Sequence, residues 1–374
     1  MATAKPVLFA GNSNRPLAEE IAQRMGSHLG NALVTTFANE ECRVEIRENV
    51  RGADAFVVQS LCKPLDGNRS VNDSLVEMLL MIDALRRASA YRITAVIPYY
   101  GYAKQDKKTK GREPITAKLV ANLLQTAGVQ RVLTVDLHAA QIQGFFDEPV
   151  DNLTASFILA NYLMNHKKLS GPSCVVVSPD AGGVARAETF ARKLQTSVAI
   201  VFKRRPKPDV NEVSEVVGEL EGKTAIIIDD MISTGGTLVK AAEALLNRGA
   251  ISIVTCATHG IFAADAAQKL IDSPITEIVV TNTIPVPEAV RGTKIKVLSV
   301  GKLLADTIKR ISLNRSVSEI YEQQEIELAE SQSGAEGPLF RSAGMDVPEI
   351  ENPPQVDPVV GVPGDGLEPI HIVS

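Results

Sequence analysis

The sequence of 374 residues lacks tryptophan, and aromatic residues make up 4% of it. Its four cysteines (Cys42, Cys62, Cys174 and Cys256) lie far apart and form no C-x-x-C pair, which argues against a structural zinc site and against a disulfide framework. Charged residues interrupt every apolar stretch before the roughly 18 residues that a membrane helix needs. The N-terminal run 6–10 is too short for the core of a signal peptide. We therefore expect a cytoplasmic protein with reduced thiols and no membrane contact.

Dense stripes of lysine and arginine with interleaved aromatic residues are also missing, so the sequence does not favour a nucleic-acid-binding surface. The formal net charge is −5, but residues 319–374 contain twelve acidic residues and one basic residue. The residues before them therefore carry a net charge of +6, which suits phosphorylated small molecules as ligands. A chain of this length with 45% hydrophobic residues predicts two domains.

The acidic segment 319–374 also contains seven prolines and six glycines. A segment of this composition has too few apolar side chains to offset the entropy that ordering would cost. We therefore expect a disordered acidic C-terminal tail.

The rest of the chain alternates short β-branched runs with longer amphipathic stretches. The strand-like runs are AFVVQ (55–59), ITAVIPY (93–99), VLTVD (132–136), CVVVS (174–178), VAIVF (198–202), TAIIIDD (224–230), SIVTCAT (252–258) and EIVVT (277–281). Continuous apolar strands separated by helices are typical of parallel sheets that are covered on both faces. The sequence therefore predicts an α/β fold.

Two segments, 131–144 and 224–236, each run from an apolar strand into an acidic residue and then into a turn of small residues. This repetition indicates a duplicated unit with a boundary near residues 147–156, although such a corner also recurs by chance in α/β proteins. Ligands of these folds bind at the carboxyl ends of the strands. We therefore expect the functional site at these two corners.

The strongest local signal is the strand 226–228, which continues into Asp229, Asp230 and the turn 233–237 with the sequence STGGT. Glycines let backbone N–H groups approach an anion, and the start of the following helix adds partial positive charge. Adjacent carboxylates repel a phosphate but suit the hydroxyls of a sugar or a metal-bound diol. A capped strand-to-helix corner explains one hydroxyl of the turn and leaves the paired aspartates unexplained. We interpret the segment as a site for a sugar phosphate.

Three other segments have two interpretations each when they are judged from their residues alone. Segment 104–114 has five basic residues against two acidic ones, which suits either a mobile flap over a polyphosphate or a solvated surface loop. The cations at 203–205 suit a phosphate site or the protection of a sheet edge. Segment 37–41 suits a contact with a nucleotide base or a surface turn.

The turn 233–237 resembles the phosphoribosyl-pyrophosphate-binding signature of the phosphoribosyltransferase-like fold. Further motifs resemble the ribose-phosphate pyrophosphokinase family, whose members are also called phosphoribosyl pyrophosphate synthetases. These motifs are YAKQDKK (102–108), VDLH with QIQGFFD (135–147), VSPDAGG (177–183) and VTNTIP (280–285). The resemblance covers about residues 5–318.

The resemblance implies two tandem phosphoribosyltransferase-like domains with parallel sheets flanked by helices. Residues 5–152 would bind ATP and carry a flexible loop, residues 153–318 would bind ribose 5-phosphate, and residues 319–374 would form the tail. The implied reaction transfers the pyrophosphoryl group of Mg-ATP to ribose 5-phosphate and yields 5-phospho-α-D-ribose 1-diphosphate and AMP. Mg²⁺ is the implied cofactor.

The resemblance also assigns a role to each candidate site residue. The catalytic cations would be Lys104, Lys203 and Arg205, which would neutralise the transferring phosphates. The ATP-binding residues would be Phe37, Asn39, Glu41, Lys104, Gln105 and His138. The ribose 5-phosphate site would be Asp229, Asp230, Ser233, Thr234, Gly235, Gly236 and Thr237. Magnesium would be held by His138 and Asp180, together with substrate phosphates and waters.

The family positions that match 37–41 contact adenine across a subunit interface, so the resemblance also implies self-association, which we expect to give a homohexamer. Lys104 replaces the arginine of most members and lacks its planar fork, and Ser233 replaces a common aspartate. Asn49 and Ala140 replace two serines of the site that takes phosphate and ADP, which leaves activation by inorganic phosphate open. Two alternatives remain. They are a non-catalytic synthetase-like regulatory subunit, and a phosphoribosyltransferase that uses the 229–237 turn alone.

Overall fold

A computed structural model of the chain describes residues 5–67, 69–204 and 213–333. Its strands form a five-stranded sheet, a seven-stranded sheet and a two-stranded hairpin. Neighbouring strands of the five-stranded sheet are all parallel, and one edge pair of the seven-stranded sheet is antiparallel. Helices cover both faces of the two larger sheets. The predicted α/β fold with parallel sheets flanked by helices is confirmed.

The five-stranded sheet lies in the first half of the chain. Its order is β1 (Pro6–Ala10), β4 (Asp54–Val58), β5 (Arg92–Ile97), β6 (Arg131–Val135) and β7 (Val150–Leu153). One face packs on α2 (Val71–Arg87) and α3 (Thr116–Ala127), and the other packs on α1 (Arg15–Arg24) and α8 (Gly301–Ser312). Successive strand residues such as Leu8 and Phe9 enter opposite cores, which is why these strands are apolar throughout.

The seven-stranded sheet lies in the second half. Its order is β10 (Val213–Val217), β9 (Ser197–Arg204), β8 (Cys174–Ser178), β11 (Thr224–Ile232), β12 (Ser252–Gly260), β13 (Glu277–Thr281) and β14 (Ile295–Leu298). One face packs on α6 (Gly236–Asn247) and α7 (Ala266–Ile271), and the other packs on α4 (Ser156–Lys167) and α5 (Val184–Leu194). β11 lies at the centre of this sheet, so its carboxyl end is flanked on both sides.

The hairpin consists of β2 (Ala32–Thr36) and β3 (Cys42–Ile46), and it packs against α2.

Local sequence signals set the start of α2 and the end of α3. Ser70 caps α2 by accepting from the backbone N–H of Asn72, and Asp73 accepts in return from the N–H of Ser70 at 2.6 Å, which is a capping box. α3 ends at Gly128 with φ 114°, a conformation that glycine adopts at little cost.

The expected disorder from residue 319 is wrong for residues 319–333, which belong to the helix α9 (Ser318–Ser333). All the prolines and glycines of the acidic segment lie at Gly334 or beyond. Residues 319–333 therefore contain no helix-breaking residue, which the average composition of the whole segment does not show. Ile320 and Leu328 are buried in cores formed with α8, α4 and α5. The remaining tail, residues 334–374, lies outside the described residues.

The second half of the chain contributes a helix to the first sheet. α8 follows β14 in the sequence, yet its residues Leu304 and Ile308 share a core with Leu8 and Leu133 of the first sheet. The Lys309 ammonium donates to the backbone carbonyl of Arg24 at 2.7 Å. The sequence-based boundary between residues 152 and 153 assigns α8 to the second domain, although α8 packs on the first sheet. This boundary therefore stays a prediction.

Two findings bear on the exclusions drawn from composition. The four cysteines are free thiols, of which Cys42 is half-buried and the other three are buried. Within the described ranges, no helix combines the length and the apolar character that crossing a bilayer requires.

Candidate active site

The carboxyl ends of β6 and β11 meet where the two sheets adjoin. β6 leads into His138, and β11 carries the pair Asp229 and Asp230. The His138 Nδ1 atom lies 2.7 Å from Asp230 Oδ2. Each strand is a parallel member of its own sheet, and polar side chains for a ligand commonly lie at the carboxyl ends of such strands. The structure thus brings together the residue assigned to ATP and the pair assigned to ribose 5-phosphate.

A third group, Arg186, joins the two aspartates. Its Nη1 atom lies 3.1 Å from Asp229 Oδ1 and 3.5 Å from Asp230 Oδ1. The sequence analysis missed this residue. A signal was present, because Arg186 stands in the first turn of α5, where the helix dipole disfavours a cation unless a partner offsets it.

The surroundings of Asp229 and Asp230 shift the pKa values of their carboxyl groups in opposite directions. Burial raises the pKa of Asp229 to about 7, and the neighbouring Asp230 adds to the rise while Arg186 opposes it. Burial acts in the same direction on Asp230, but the hydrogen bond from His138 and the charge of Arg186 outweigh it and hold the pKa of Asp230 below its usual value. The same hydrogen bond raises the pKa of His138. Adjacent titratable groups whose pKa values are driven apart are typical of active sites.

The turn 233–237 connects this pair to α6. Gly235 has φ 73°, and a side chain there would meet Leu270 at 3.0 Å, so the turn needs glycine at this position. The helix α6 begins at Gly236, and the first backbone N–H groups of a helix have no partner inside it. Ser233 is half-buried, and Thr234 and Thr237 are exposed. The turn therefore offers N–H groups and hydroxyls to an anion beside the carboxylates.

Asp180 stands on a separate turn after β8. Its Oδ1 atom accepts from the N–H of Gly183 at 3.0 Å, and its backbone carbonyl accepts from the Ser178 hydroxyl at 2.6 Å. These bonds fix the turn and leave Asp180 exposed. The described residues contain no group of three or more histidine, cysteine, aspartate or glutamate side chains that could hold a metal. A magnesium ion at His138 and Asp180 would therefore take most of its ligands from substrate and water, as Mg²⁺ commonly does.

The basic segment 104–114 folds back on itself near the same site. The Glu113 carboxylate accepts from the backbone N–H groups of Thr109 and Lys110 at 2.9 Å. Gln105 contacts Thr116 at the start of α3. The Asp106 carboxylate is buried and accepts from Gln141 at 2.5 Å. The segment is thereby linked to the turn that follows His138, and Lys104 is exposed on it.

Three predicted ATP-binding residues are not joined to this cluster. Phe37, Asn39 and Glu41 lie in the turn between β2 and β3, where the Arg43 guanidinium lies 5.5 Å from the centre of the Phe37 ring. The backbone N–H of Glu41 contacts Asn39 Oδ1 at 3.4 Å. In the described part of the chain, no hydrogen bond or ring contact connects this turn to His138.

The predicted catalytic cations of the second half fall at the limit of the described residues. Lys203 lies in β9, one strand away from β8. Arg205 lies outside the described residues. The structure therefore gives the backbone position of Lys203 and leaves both assignments as predictions.

Comparison with known proteins identifies the family. The family model of the N-terminal domain of ribose phosphate pyrophosphokinase matches residues 6–128, and that of the phosphoribosyl synthetase-associated domain matches residues 203–322. Ribose-phosphate pyrophosphokinase from Caldanaerobacter subterraneus is 54% identical over 314 residues, which cover 84% of this chain and 97% of the relative. The enzyme of the same name from Aquifex aeolicus is 49% identical over 84% of this chain and 98% of its own.

A solved structure agrees with the sequence comparison. Phosphoribosylpyrophosphate synthetase from Mycobacterium smegmatis is 44% identical and superposes with a TM-score of 0.77. The match covers 83% of this chain and 99% of that one. The chain belongs to the ribose-phosphate pyrophosphokinase family.

Proposed function

We propose that this enzyme transfers the pyrophosphoryl group of Mg-ATP to ribose 5-phosphate, which yields 5-phospho-α-D-ribose 1-diphosphate and AMP. The observation that carries the proposal is the 2.7 Å hydrogen bond between His138 and Asp230. It unites the residues assigned to the two substrates in one site between the sheets. A phosphoribosyltransferase would need the Asp229–Asp230 corner alone and would leave His138 and the basic segment unexplained.

The corner after β11 would bind ribose 5-phosphate. The backbone N–H groups of turn 233–237 and the start of α6 would hold the 5-phosphate, because a helix N-terminus favours an anion. Asp229 and Asp230 would accept hydrogen bonds from the ribose hydroxyls. Arg186 would keep the two carboxylates oriented, since it already pairs with both at 3.1 and 3.5 Å.

The reaction would then proceed by direct displacement. The 1-hydroxyl oxygen of ribose attacks the β-phosphorus of ATP, and the bond from that phosphorus to the bridging oxygen of AMP breaks. Holding the two substrates in line supplies much of the rate gain. Lys104, Lys203 and Arg205 would neutralise the charge that develops on the phosphates and on departing AMP.

Magnesium fits the donors that the site offers. His138 Nε2 and the free carboxylate oxygen of Asp180 would hold it, because His138 Nδ1 is used by Asp230 and Asp180 Oδ1 by Gly183. When bound, the ion supplies positive charge that orients and neutralises the triphosphate. The small number of protein ligands agrees with the preference of Mg²⁺ for phosphate and water oxygens.

Self-association would complete the nucleotide site. The Phe37 side chain is 49% exposed at the tip of the hairpin, where it can stack on a base that a neighbouring subunit binds. A homohexamer and a cytoplasmic location belong to this proposal as well, and the experiment below tests the activation by inorganic phosphate that the sequence leaves open. Asn49 accepts from the backbone N–H of Arg51 at 3.1 Å, so the replaced serine position is occupied by a turn-forming side chain.

Phosphorus NMR of the purified protein with Mg-ATP and ribose 5-phosphate, with and without inorganic phosphate, tests the proposal. AMP and 5-phospho-α-D-ribose 1-diphosphate should appear in equal amounts. A folded oligomer that binds both substrates and gives no product under either condition would favour a regulatory subunit. A product that forms only from a base and 5-phospho-α-D-ribose 1-diphosphate would favour a phosphoribosyltransferase.

A further inference from the structure

We infer that Thr258 and His259 are positioning residues, which act from the second sheet to hold the His138 segment in its working place. Both are buried, at 4% and 2% exposure, so neither is open to a ligand. Both act on Asp136, the residue that directly follows β6 and stands two positions before His138. The inference rests on the proposed function, because it gives His138 a role in the reaction.

Asp136 has a backbone conformation that must be held by its surroundings. Its φ is 41°, in the left-handed region that residues with a side chain adopt at an energetic cost. Three hydrogen bonds oppose this cost. Asp136 Oδ2 accepts from the N–H of Ala155 at 2.9 Å and from the Thr258 hydroxyl at 2.6 Å, and the backbone carbonyl lies 3.1 Å from His259 Nε2. Two of the three partners therefore come from β12 of the second sheet.

The chemistry of His259 fixes the direction of its bond. The ring is 2% exposed, and burial lowers the pKa of His259, so the ring is neutral near pH 7. The carbonyl of Asp136 can only accept, so the bond at 3.1 Å requires the proton of the neutral ring on Nε2, which donates to it. The Nδ1 atom, which lies 2.9 Å from the Thr283 hydroxyl, then carries no proton. A neutral donor of this kind can bind the carbonyl at any pH where the enzyme is expected to work.

The network continues back to the first sheet. The backbone carbonyl of Thr283 accepts from the hydroxyl of Ser60 at 2.6 Å. Ser60 follows β4, and both Ser60 and Thr283 are fully buried. A buried polar chain therefore runs from Ser60 through Thr283 and His259 to Asp136, and it joins the two sheets at the edge that carries the site. Buried hydrogen bonds that are all satisfied give a single geometry.

Comparison with nearby threonines separates this arrangement from ordinary packing. Thr134 of β6 and Thr255 of β12 are fully buried on the same two strands. Their hydroxyls have no hydrogen-bond partner among the described residues. A buried threonine is thus tolerated on these strands without a polar role, whereas the Thr258 hydroxyl is bonded across the boundary.

The position of Asp136 decides where His138 can reach. His259 pairs with Met231 in the register of β12 with β11, one residue beyond Asp230. The group that fixes Asp136 is therefore tied to the same strand pair that presents Asp230. The N–H of Leu137 donates to Asn152 at 3.1 Å, which holds the link between Asp136 and His138. Since a displacement of about 1 Å at a reacting group can cost about 10²-fold in rate, this connection sets the activity of the site.

The decisive variant is Thr258→Val, which keeps the shape and removes the hydroxyl. We expect kcat to fall about tenfold or more and the KM for Mg-ATP to rise severalfold, with the KM for ribose 5-phosphate within about twofold of the unmodified enzyme. Thr258→Ser, which restores the hydroxyl, should recover most of the loss. Thr255→Val and Thr134→Val are the matched controls, and both should keep all three constants.

A second readout does not depend on turnover. The ring signals of His138, followed by NMR in the full-length protein, should shift in Thr258→Val and stay in place in Thr255→Val. If the unmodified enzyme makes no product, the proposed function fails and this comparison still tests the link. Unchanged ring signals together with unchanged kinetic constants in Thr258→Val would overturn the inference, as would a lower melting temperature with unchanged constants. If Thr258→Val does not fold, Thr258→Ala, which adds no bulk, is measured in the same way.

Discussion

His138 and Asp230 are 92 residues apart in the sequence and share a hydrogen bond of 2.7 Å across the boundary of the two sheets. His138 follows β6 of the first sheet and Asp230 lies near the carboxyl end of β11 of the second sheet, so the bond forms when both sheets are assembled and correctly placed. It changes the protonation of both partners, because it raises the pKa of His138 and lowers that of Asp230. The candidate site is therefore a property of the junction between the sheets.

Asp230→Asn should test this junction. The amide keeps the shape but loses the charge that orients His138 and pairs with Arg186. We expect kcat to fall by about 10²-fold or more, because a group held in place by a charged hydrogen bond is released. Steady-state kinetics with both substrates varied would measure it. Asp265→Asn, at a surface ion pair with Lys269, should keep the original kcat, and an Asp230→Asn enzyme that equals this control would contradict the assignment.

Arg186→Met should impair the enzyme even though sequence analysis did not select this residue. Loss of the guanidinium removes the cation that the two carboxylates share, which costs more at this half-buried position than the loss of a surface pair. We expect kcat/KM for ribose 5-phosphate to fall about tenfold or more. The control Arg192→Met is on the same helix and removes an exposed contact with Thr189. Equal values for the two variants would remove Arg186 from the site.

Much of the fold and part of the site could be predicted from the sequence. Apolar strands and amphipathic helices set the α/β class, and the glycine-rich turn that follows Asp229 and Asp230 predicted both as members of the candidate site. Arg186 was missed because its partners come from β11, 43 residues away in the sequence. Helix α9 was missed because composition was averaged over residues 319–374. Neither the contacts between residues that are far apart in the sequence nor the exact limits of a disordered segment can be predicted from local sequence patterns.

The binding of ribose 5-phosphate should strengthen as the pH rises through about 7. Burial and the neighbouring Asp230 raise the pKa of Asp229 to about 7, so Asp229 is protonated below this pH and ionised above it. The ionised carboxylate accepts hydrogen bonds from sugar hydroxyls, and the protonated form does so less well. The KM for ribose 5-phosphate should therefore fall between about pH 6 and about pH 8.

Asp229→Asn provides the reference for this pH profile. The 5-phosphate of the substrate has its own second pKa near 6, and that dependence remains in the variant. The part of the profile centred near pH 7 should disappear in Asp229→Asn. A profile with the same shape in both enzymes would show that another group controls binding.

We expect Lys104 to act on the transferring phosphates through its positive charge, without the planar geometry that an arginine side chain would add. Lys104→Met should lower kcat about tenfold or more, because a fixed cation near the developing charge is lost, whereas Lys104→Arg should keep or raise it, since the family commonly has arginine there. The exposed Lys63, which lies outside the basic segment, gives a control in Lys63→Met. Initial rates at saturating substrates decide between these outcomes. A Lys104→Met enzyme as fast as Lys63→Met would assign segment 104–114 to the solvated surface.

The helix α9 should contribute to stability through one side of its surface. Leu328 is 8% exposed and packs in the core with α4 and α5, whereas Ile326 on the same helix is 59% exposed. Leu328→Ala should lower the free energy of unfolding by about 2 to 3 kcal/mol, the usual cost of removing a buried leucine side chain near the edge of a core. Ile326→Ala should change it by less than about 0.5 kcal/mol. Thermal unfolding of both variants gives the comparison, and equal melting temperatures would mean that α9 does not pack on the body in solution.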